Sequence, residues 1–140
     1  MTVERMEERH IEGIAAIEKQ CFRHPWSADG LREELGKGIF LAAVEDGTVA
    51  GYVGCQTVLD EGYITNVAVL PAFRRRGVAE CLLGELVRQA EGLSFLTLEV
   101  RASNRPAAAL YEKMGFSRVG VRPGFYTGPA EDAVLTTRYL

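Results

Sequence analysis

The residues with the clearest chemical meaning are three consecutive arginines that precede a predicted helix, Arg74, Arg75 and Arg76. Apolar residues recur behind them at the three-to-four spacing of a helix packed on one side, at Val78, Leu82, Leu83 and Leu86. The first turn of a helix exposes unpaired N–H groups and a partial positive charge, so arginines placed there raise its energy. A bound polyanion removes that penalty. The pattern therefore predicts a site for a phosphate-bearing ligand, with a solvated basic helix start as the alternative.

The residues around the arginines favour close contact between a ligand and the backbone. Gly77 has no side chain to block an approaching group, and Ala79 adds little bulk. The backbone N–H groups from about Arg75 to Glu80 are therefore candidates for binding phosphate oxygens.

The chain as a whole is acidic, which separates the arginines from a general nucleic-acid-binding surface. Its 140 residues, 47% of them hydrophobic, predict one domain over residues 1–140 with a buried core. A formal net charge of −3 argues against nucleic acid as a direct partner. A nucleotide-sized anion suits a local cluster of arginines better than a duplex does.

The cysteines and histidines form neither a disulfide pattern nor a metal-binding pattern. The cysteines are odd in number, widely spaced and set among apolar residues, at Cys21, Cys55 and Cys81. We therefore expect free thiols. The two histidines, His10 and His24, lie far from other ligand types, so no metal centre is expected.

No stretch of the sequence predicts a membrane-embedded or exported segment. The first ten residues, MTVERMEERH, lack the apolar core of a signal peptide. No run approaches the ~18 apolar residues of a membrane span. We therefore expect a cytoplasmic protein without a membrane partner.

Apolar periodicity and turn residues predict the order strand, two helices, three strands, helix, strand, helix and two strands. Strands are predicted at residues 2–6, 39–45, 49–58, 63–69, 93–100, 116–121 and 134–139. Helices are predicted at 9–21, from 27 to about 35, at 77–90 and at 107–114. Ser27 and either Ser103 or Asn104 suit N-caps, and Asp46-Gly47 suits a hairpin turn. Loops are predicted at 59–62 and in the Pro- and Gly-rich stretch 122–132. The three-strand meander before the arginines excludes a Rossmann-type alternation.

The arginine loop and the strand before it resemble a known family. The sequence RRRGVA matches Gln/Arg-x-x-Gly-x-Gly/Ala, the pyrophosphate loop of the GCN5-related N-acetyltransferases (GNAT), and Asn66 to Pro71 match the strand end that precedes that loop in the family. The predicted order of elements is also the family's. The resemblance implies an α+β fold, with a mostly antiparallel sheet of about six to seven strands, splayed at its centre and flanked by about four helices.

Longer segments resemble a narrower group, the ribosomal-protein-alanine N-acetyltransferases. They are CFRHPWS, LEVRASNRPAAALYEKMGF at residues 98–116, and FYTGPAEDAVL. That group typically has two tyrosines where this chain has Phe125 and Tyr126, so one hydroxyl is missing here. The resemblance implies transfer of the acetyl group of acetyl-CoA to the N-terminal α-amine of a protein, expected to be a ribosomal protein.

The resemblance also assigns roles to two side chains. A free α-amine is mostly protonated at neutral pH, and the family's Glu in L-E-V-R corresponds to Glu99, the candidate base, acting directly or through a water. The departing thiolate needs a proton, and the family's tyrosine in A-L-Y-E corresponds to Tyr111, the candidate acid. The alternatives are a solvated strand glutamate and a core aromatic residue.

The remaining expectations concern binding of acetyl-CoA and of the acceptor. The residues expected to bind the phosphates are Arg74, Arg75, Arg76, Gly77, Val78, Ala79 and Glu80. The pantetheine arm is expected to pair with the strand edge at Val67, Ala68 and Val69, where an N–H near Val67 would stabilise the oxyanion.

Three further residues are expected to contact the cofactor or the acceptor, and two of them have a purely structural alternative. Asn104 matches a family residue that contacts the cofactor, or only caps a helix. Trp26 and Tyr126 are expected beside the acceptor, and Trp26 is alternatively a core residue.

Two other functions remain open on the sequence. The acceptor is alternatively a small-molecule amine or a lysine side chain. A non-catalytic module that binds CoA is a second alternative, against which the presence of both Glu99 and Tyr111 argues.

Overall fold

The computed structural model describes residues 1–140 and contains a single mixed sheet flanked by helices. The strands are β1 (Thr2–Arg5), β2 (Ile39–Glu45), β3 (Thr48–Val58), β4 (Glu61–Val69), β5 (Phe95–Arg101), β6 (Ser117–Tyr126) and β7 (Glu131–Tyr139). The helices are α1 (Glu8–Cys21), α2 (Ala28–Arg32), α3 (Val78–Gln89) and α4 (Arg105–Lys113), with a 3₁₀ turn at Pro71–Phe73. The seven strands lie in the order β1-β2-β3-β4-β5-β7-β6. The expected α+β fold, a mostly antiparallel sheet of seven strands flanked by four helices, is confirmed. None of the helices combines the length and apolar composition needed to cross a bilayer.

Side chains at the starts of three helices satisfy N–H groups that have no partner within the helix. Ser27 Oγ accepts from the Gly30 N–H at 3.0 Å, and Asn104 Oδ1 accepts from the Ala107 N–H at 3.2 Å. At the start of α1, residues 7 and 10 form a reciprocal capping box. Helix α3 differs, because Gly77 at its start provides no side-chain acceptor.

The helices cover the two sides of the sheet unevenly. On one side α3 and α4 pack over the sheet, where Leu82 and Leu86 of α3 are fully buried. On the other side α1 and α2 pack over β2, β3 and β4, where Ile14 and Ile17 of α1 are fully buried. The core under α1 and α2 contains no residue of β5, β6 or β7. On the side of the sheet where α1 and α2 lie, β5, β6 and β7 are therefore not part of a helix-covered core, and we call that side of these three strands the open side.

The sheet splays at its centre, where β4 and β5 run parallel. The two strands pair only between residues Glu61–Tyr63 and Phe95–Thr97. Beyond these residues β4 pairs with β3 alone, and β5 pairs with β7 alone. No strand therefore pairs with the edge of β4 from Ile64 to Val69 that faces β5. This strand leads through the 3₁₀ turn to the start of α3.

Both predicted loops are shorter in the structure than the sequence indicated. Strand β3 ends at Val58 and β4 begins at Glu61, so the connection is a tight turn in which Leu59 has a φ of 54°. The prediction of a loop over 122–132 is wrong for most of that stretch, because β6 continues to Tyr126. Strand β6 lies at the edge of the sheet, and its register shifts between Arg122 and Tyr126, so Pro123 is accommodated without breaking the strand.

Candidate active site

The loop before α3 holds a run of backbone N–H groups with no acceptor in the protein. No N–H from Arg75 to Glu80 donates to a protein oxygen, and the first that does is that of Cys81, which bonds to Gly77 O at 3.0 Å. Arg75 and Gly77 have left-handed backbones, with φ values of 64° and 75°, and a Cβ placed on Gly77 would meet nothing within 4 Å. Successive N–H groups in such a conformation form a concave anion site at the positive end of the helix dipole.

The arginines of this loop point in different directions. Arg74 turns back, with Nε 3.1 Å from Val69 O and Nη2 3.7 Å from Cys21 Sγ. Arg76 lies over the Phe73 ring, 5.4 Å from its centroid. Arg75 is exposed and contacts no acidic partner in the protein. The sequence predicted one cluster, whereas the structure leaves Arg75 as the guanidinium most available to a ligand.

Glu99 lies on β5 just past the last residue paired with β4, on the open side of the sheet. Its side chain is 31% exposed, and Oε1 is 3.3 Å from Arg122 Nε on β6. Its partner across the β5–β7 ladder is Leu135. The carboxylate is therefore neither buried nor free in solvent, and one cation faces it.

Tyr111 lies on α4, on the opposite side of the sheet from Glu99. The residue is 6% exposed, and its ring packs edge-on against Phe116 with centroids 5.7 Å apart. Its hydroxyl makes no hydrogen bond within the protein. Since no fully buried side-chain oxygen or nitrogen lacks a partner, this hydroxyl oxygen is partly accessible to solvent. Burial raises the pKa of this hydroxyl above its ordinary value, and the neighbouring Tyr126 adds to the rise. Tyr111 therefore keeps its proton throughout the neutral range.

Tyr126 lies near both candidate catalytic groups. Burial raises the pKa of its hydroxyl, the Glu99 carboxylate adds to the rise and Arg101 opposes it. The Arg101 guanidinium stacks 4.4 Å from the Tyr126 ring centroid. It also donates to the carbonyls of Thr127 and Pro129, so it braces the β6–β7 turn that carries the tyrosine.

Phe125, which replaces a tyrosine of the related group, lies beside the same residues. It is 49% exposed, and its ring centroid is 5.1 Å from that of Tyr126. The Arg122 guanidinium lies 5.8 Å from the Phe125 ring centroid. Phe125 therefore contacts the arginine that pairs with Glu99.

Comparison with known proteins identifies the family of this chain. The acetyltransferase (GNAT) family model matches residues 11–116. This chain belongs to the GNAT family. The [ribosomal protein bS18]-alanine N-acetyltransferase of Haemophilus influenzae is 38% identical over 99% of this chain and 98% of its own length. The corresponding Escherichia coli protein is 34% identical over 96% of this chain and 94% of its own. The expected resemblance to this group is confirmed.

Solved structures agree with that assignment. The crystal structure of the ribosomal-protein-S18-alanine N-acetyltransferase from Escherichia coli is similar, with a TM-score of 0.90 at 33% identity, covering 99% of this chain and 92% of that one. Arabidopsis thaliana NAA60 in complex with acetyl-CoA has a TM-score of 0.90 at 24% identity, with 99% of both chains covered, and shares the fold. This GNAT protein is an acetyl-CoA-dependent N-acetyltransferase, and acetyl-CoA is its co-substrate.

Two features of this GNAT structure fit acetyl-CoA. The unpaired N–H groups before α3 are the donors that a diphosphate requires. The unpaired edge of β4 at Val67, Ala68 and Val69 can accept the amides of an extended pantetheine arm, as it would an added strand. No group of three or more His, Cys, Asp or Glu side chains in the structure is arranged to hold a metal ion.

Asn104 is a helix cap and Trp26 packs against the core, as the alternatives to ligand binding predicted. The Asn104 side chain caps α4. The Trp26 ring packs against Phe40 in the core under α1 and α2, with centroids 6.0 Å apart. Neither contact prevents a second contact with a ligand, because Trp26 is only partly buried and Asn104 is exposed.

Sequence reasoning missed Glu18, a fully buried carboxylate on α1. It accepts hydrogen bonds from the Trp26 N–H at 2.8 Å, from Asn66 Nδ2 at 2.9 Å and from the Tyr52 hydroxyl. The sequence did contain a signal: Glu18 follows Ile11 and Ile14 at helical spacing, so it occupies the apolar face of α1. A carboxylate at such a position needs buried donors.

Proposed function

We propose that this GNAT enzyme transfers the acetyl group of acetyl-CoA to the N-terminal α-amine of a ribosomal protein. Relatives of nearly the same length, at 38% and 34% identity, are named as [ribosomal protein bS18]-alanine N-acetyltransferases. The structural observation that carries the proposal is the position of Glu99 and Tyr111. Glu99 lies on the open side of β5, two residues past its pairing with β4, and Tyr111 lies on the other side of the sheet, with Tyr126 near both. An N-terminal alanine is the first acceptor to test.

The residues of the splay and of the loop before α3 provide the binding site for acetyl-CoA, which supplies an activated thioester. The N–H groups from Arg75 to Glu80 hold the diphosphate, and the free guanidinium of Arg75 adds a charge that solvent screens. The edge at Val67, Ala68 and Val69 aligns the arm, and the Val67 N–H polarises the acetyl oxygen. Removing such a donor typically costs ~3 kcal/mol of transition-state stabilisation.

Glu99 prepares the acceptor for attack. An α-amine with a pKa near ~8 is largely an ammonium at neutral pH, and the Glu99 carboxylate attracts it and accepts its proton, directly or through a water. Arg122, 3.3 Å away, keeps the carboxylate oriented towards the open side until the ammonium arrives. The neutral amine then has a lone pair for the acetyl carbon.

Tyr111 completes the transfer from the other side of the sheet. Its raised pKa keeps the hydroxyl protonated, so it has a proton to give to the departing sulfur. Its hydroxyl has no partner in the protein to compete for that proton. Tyr126, whose ring is held by Arg101, and the region around Trp26 form the walls beside the acceptor.

Mass spectrometry of octapeptides incubated with the enzyme and acetyl-CoA tests the proposal. One peptide begins with a free alanine and carries an internal lysine, and a matched peptide is blocked at its α-amine. Acetylation confined to the α-amine of the first peptide supports the proposal. Acetylation of the lysine, or of spermidine but neither peptide, would assign another acceptor. Binding of acetyl-CoA without turnover of any amine would make the protein a CoA-binding module.

A further inference from the structure

An exposed groove on the open side of the sheet begins at Glu99 and Arg122, and its remaining lining residues have no part in the proton transfers described above. It has a volume of about 280 Å³ and is lined by residues of β4, β5, β6 and β7. Three rings cross its floor, those of Tyr63 on β4, Phe95 on β5 and Tyr139 on β7. Adjacent ring centroids are 6.2 Å and 6.3 Å apart. We call these three residues the aromatic strip.

The aromatic strip is not covered by any helix. Tyr63 is 39% exposed and Tyr139 is 72% exposed. The core under α1 and α2 ends at β4, so the rings on β5 and β7 lack a packing layer on this side. Contiguous exposed rings of this kind mark a binding surface, since tyrosine supplies a large apolar area and a hydroxyl that tolerates water.

The charges around the groove favour a basic occupant. At one end the Glu99 carboxylate is paired with Arg122, and at the other end the Glu61 carboxylate accepts a hydrogen bond from the Tyr63 hydroxyl. Asp60 precedes Glu61 at the tip of the turn between β3 and β4. The charges of Glu99 and Arg122 in the lining balance, and Glu61 and Asp60 beside the far end give that end an excess of carboxylates. A protein that binds RNA phosphates is rich in lysine and arginine and is complementary to it.

The distance from Glu99 to the aromatic strip matches a few residues of extended chain. Phe95 lies four positions before Glu99 on β5, which at ~3.3 Å per residue separates the two Cα atoms by about 13 Å. A polypeptide whose α-amine is at Glu99 covers that distance in about four residues. Its third to fifth residues then lie over the strip.

We propose that the aromatic strip binds the third to fifth residues of the acceptor polypeptide and favours aromatic or large aliphatic side chains there. This inference rests on the proposed function, because it requires a polypeptide acceptor. The strip gives the enzyme a contact with its substrate that a free amino acid or a short peptide does not make. Recognition of the substrate thus extends beyond its first residue.

Steady-state kinetics with two peptides of matched N-terminus tests the strip. A dipeptide beginning with alanine ends before the strip, and an octapeptide with the same first two residues carries aromatic residues at positions four and five. The double variant Tyr63→Thr/Tyr139→Thr keeps β-branched residues in both strands. We expect it to raise KM for the octapeptide roughly tenfold, while kcat and the KM for the dipeptide stay as in the wild type.

The control variant is Val121→Thr, which removes an exposed apolar side chain of β6 on the other side of the sheet. It should leave both KM values unchanged. An octapeptide KM that the double variant does not change would overturn the inference, as would equal losses with both peptides. Wild-type enzyme that acetylates neither peptide would instead refute the proposed function. A concentration-dependent dimer that the double variant dissociates, without a change in KM, would assign the strip to self-association and overturn the inference.

Discussion

The buried carboxylate of Glu18 accepts a hydrogen bond of 2.9 Å from the side-chain amide of Asn66, which joins α1 to the splayed strand β4. The same carboxylate holds the Trp26 backbone and the Tyr52 hydroxyl. Asn66 precedes Val67, the residue proposed to polarise the acetyl oxygen. One side chain therefore links the helix layer, the acceptor wall and the strand edge.

Replacing Glu18 should destabilise the fold strongly. Glu18→Ala leaves buried donors without an acceptor and opens a cavity, and we expect a loss of about 3 kcal/mol in the free energy of unfolding. Glu18→Gln keeps the shape and one acceptor oxygen, so its loss should be smaller. Tyr52→Phe removes a single donor and should cost about 1 kcal/mol. Urea denaturation measures all three, and equal stability of Glu18→Ala and the wild type would show that the network is not stabilising.

Local sequence signals predicted the elements of the fold better than its centre. Ser27 caps α2 as predicted, and Asn104, one of the two predicted candidates, caps α4, because a cap needs only its own helix start. The loop prediction at 122–132 is wrong because Pro and Gly signal a break, whereas an edge strand tolerates both. Edge position depends on the order of strands in the sheet, which no local pattern contains.

In the site, as in the fold, the features set by local sequence were predicted and the contacts between distant residues were not. The free N–H groups before α3 were predicted from the sequence, because Gly77 at the helix start has no side chain to cap them. The separate directions of Arg74 and Arg76 depend on partners far away in sequence, Cys21 and Glu45. The Glu99–Arg122 pair likewise depends on the β5–β7–β6 order. Such contacts became visible only with the structure.

Glu99→Gln should lower kcat by about 100-fold at pH 7 without changing the KM for acetyl-CoA. The amide cannot accept a proton, so the variant relies on the small fraction of neutral amine. That fraction rises with pH, so the deficit should shrink as pH passes the amine's pKa of ~8. The measurement is the pH dependence of kcat with an alanine peptide.

The control for this prediction is Glu112→Gln, which neutralises an exposed carboxylate on α4. It should leave the pH profile as in the wild type. A Glu99→Gln profile parallel to that of the wild type at every pH would remove Glu99 from proton transfer.

Tyr111→Phe should separate catalysis from packing. The ring stays against Phe116, and the lost hydroxyl has no hydrogen-bond partner, so the free energy of unfolding should change by less than about 0.5 kcal/mol. The kcat should fall by about 100-fold, because the departing sulfur loses its proton donor. Since the pKa of Tyr111 is raised, wild-type activity should not decline through its ionisation below pH ~10. Urea denaturation and kinetics of the same variant distinguish the two roles. A loss of stability large enough to account for the lost activity would show that Tyr111 is only a core aromatic residue.

Among the three arginines, Arg75 should contribute most to acetyl-CoA affinity. Its guanidinium has no acidic partner, whereas Arg74 is bonded to Val69 O. We expect Arg75→Ala to weaken binding about fivefold at low salt, and the effect should fade at 0.5 M salt, where the Debye length is short. Arg74→Ala should have a smaller effect that depends less on salt. Calorimetric titration at two ionic strengths measures both, and a larger salt-dependent loss in Arg74→Ala would reverse the assignment.

Gly77→Ala tests the backbone of the same loop. A left-handed φ of 75° costs an alanine about 1–2 kcal/mol, and no atom lies within 4 Å of the added Cβ. Gly36→Ala is the matched control, because Gly36 has a φ of 76°, equally open space and a position outside the site. Both variants should lose similar stability by urea denaturation. Only Gly77→Ala should weaken acetyl-CoA binding, because the new methyl group lies where the diphosphate approaches the N–H groups, and equal affinities of the two variants would place the diphosphate elsewhere.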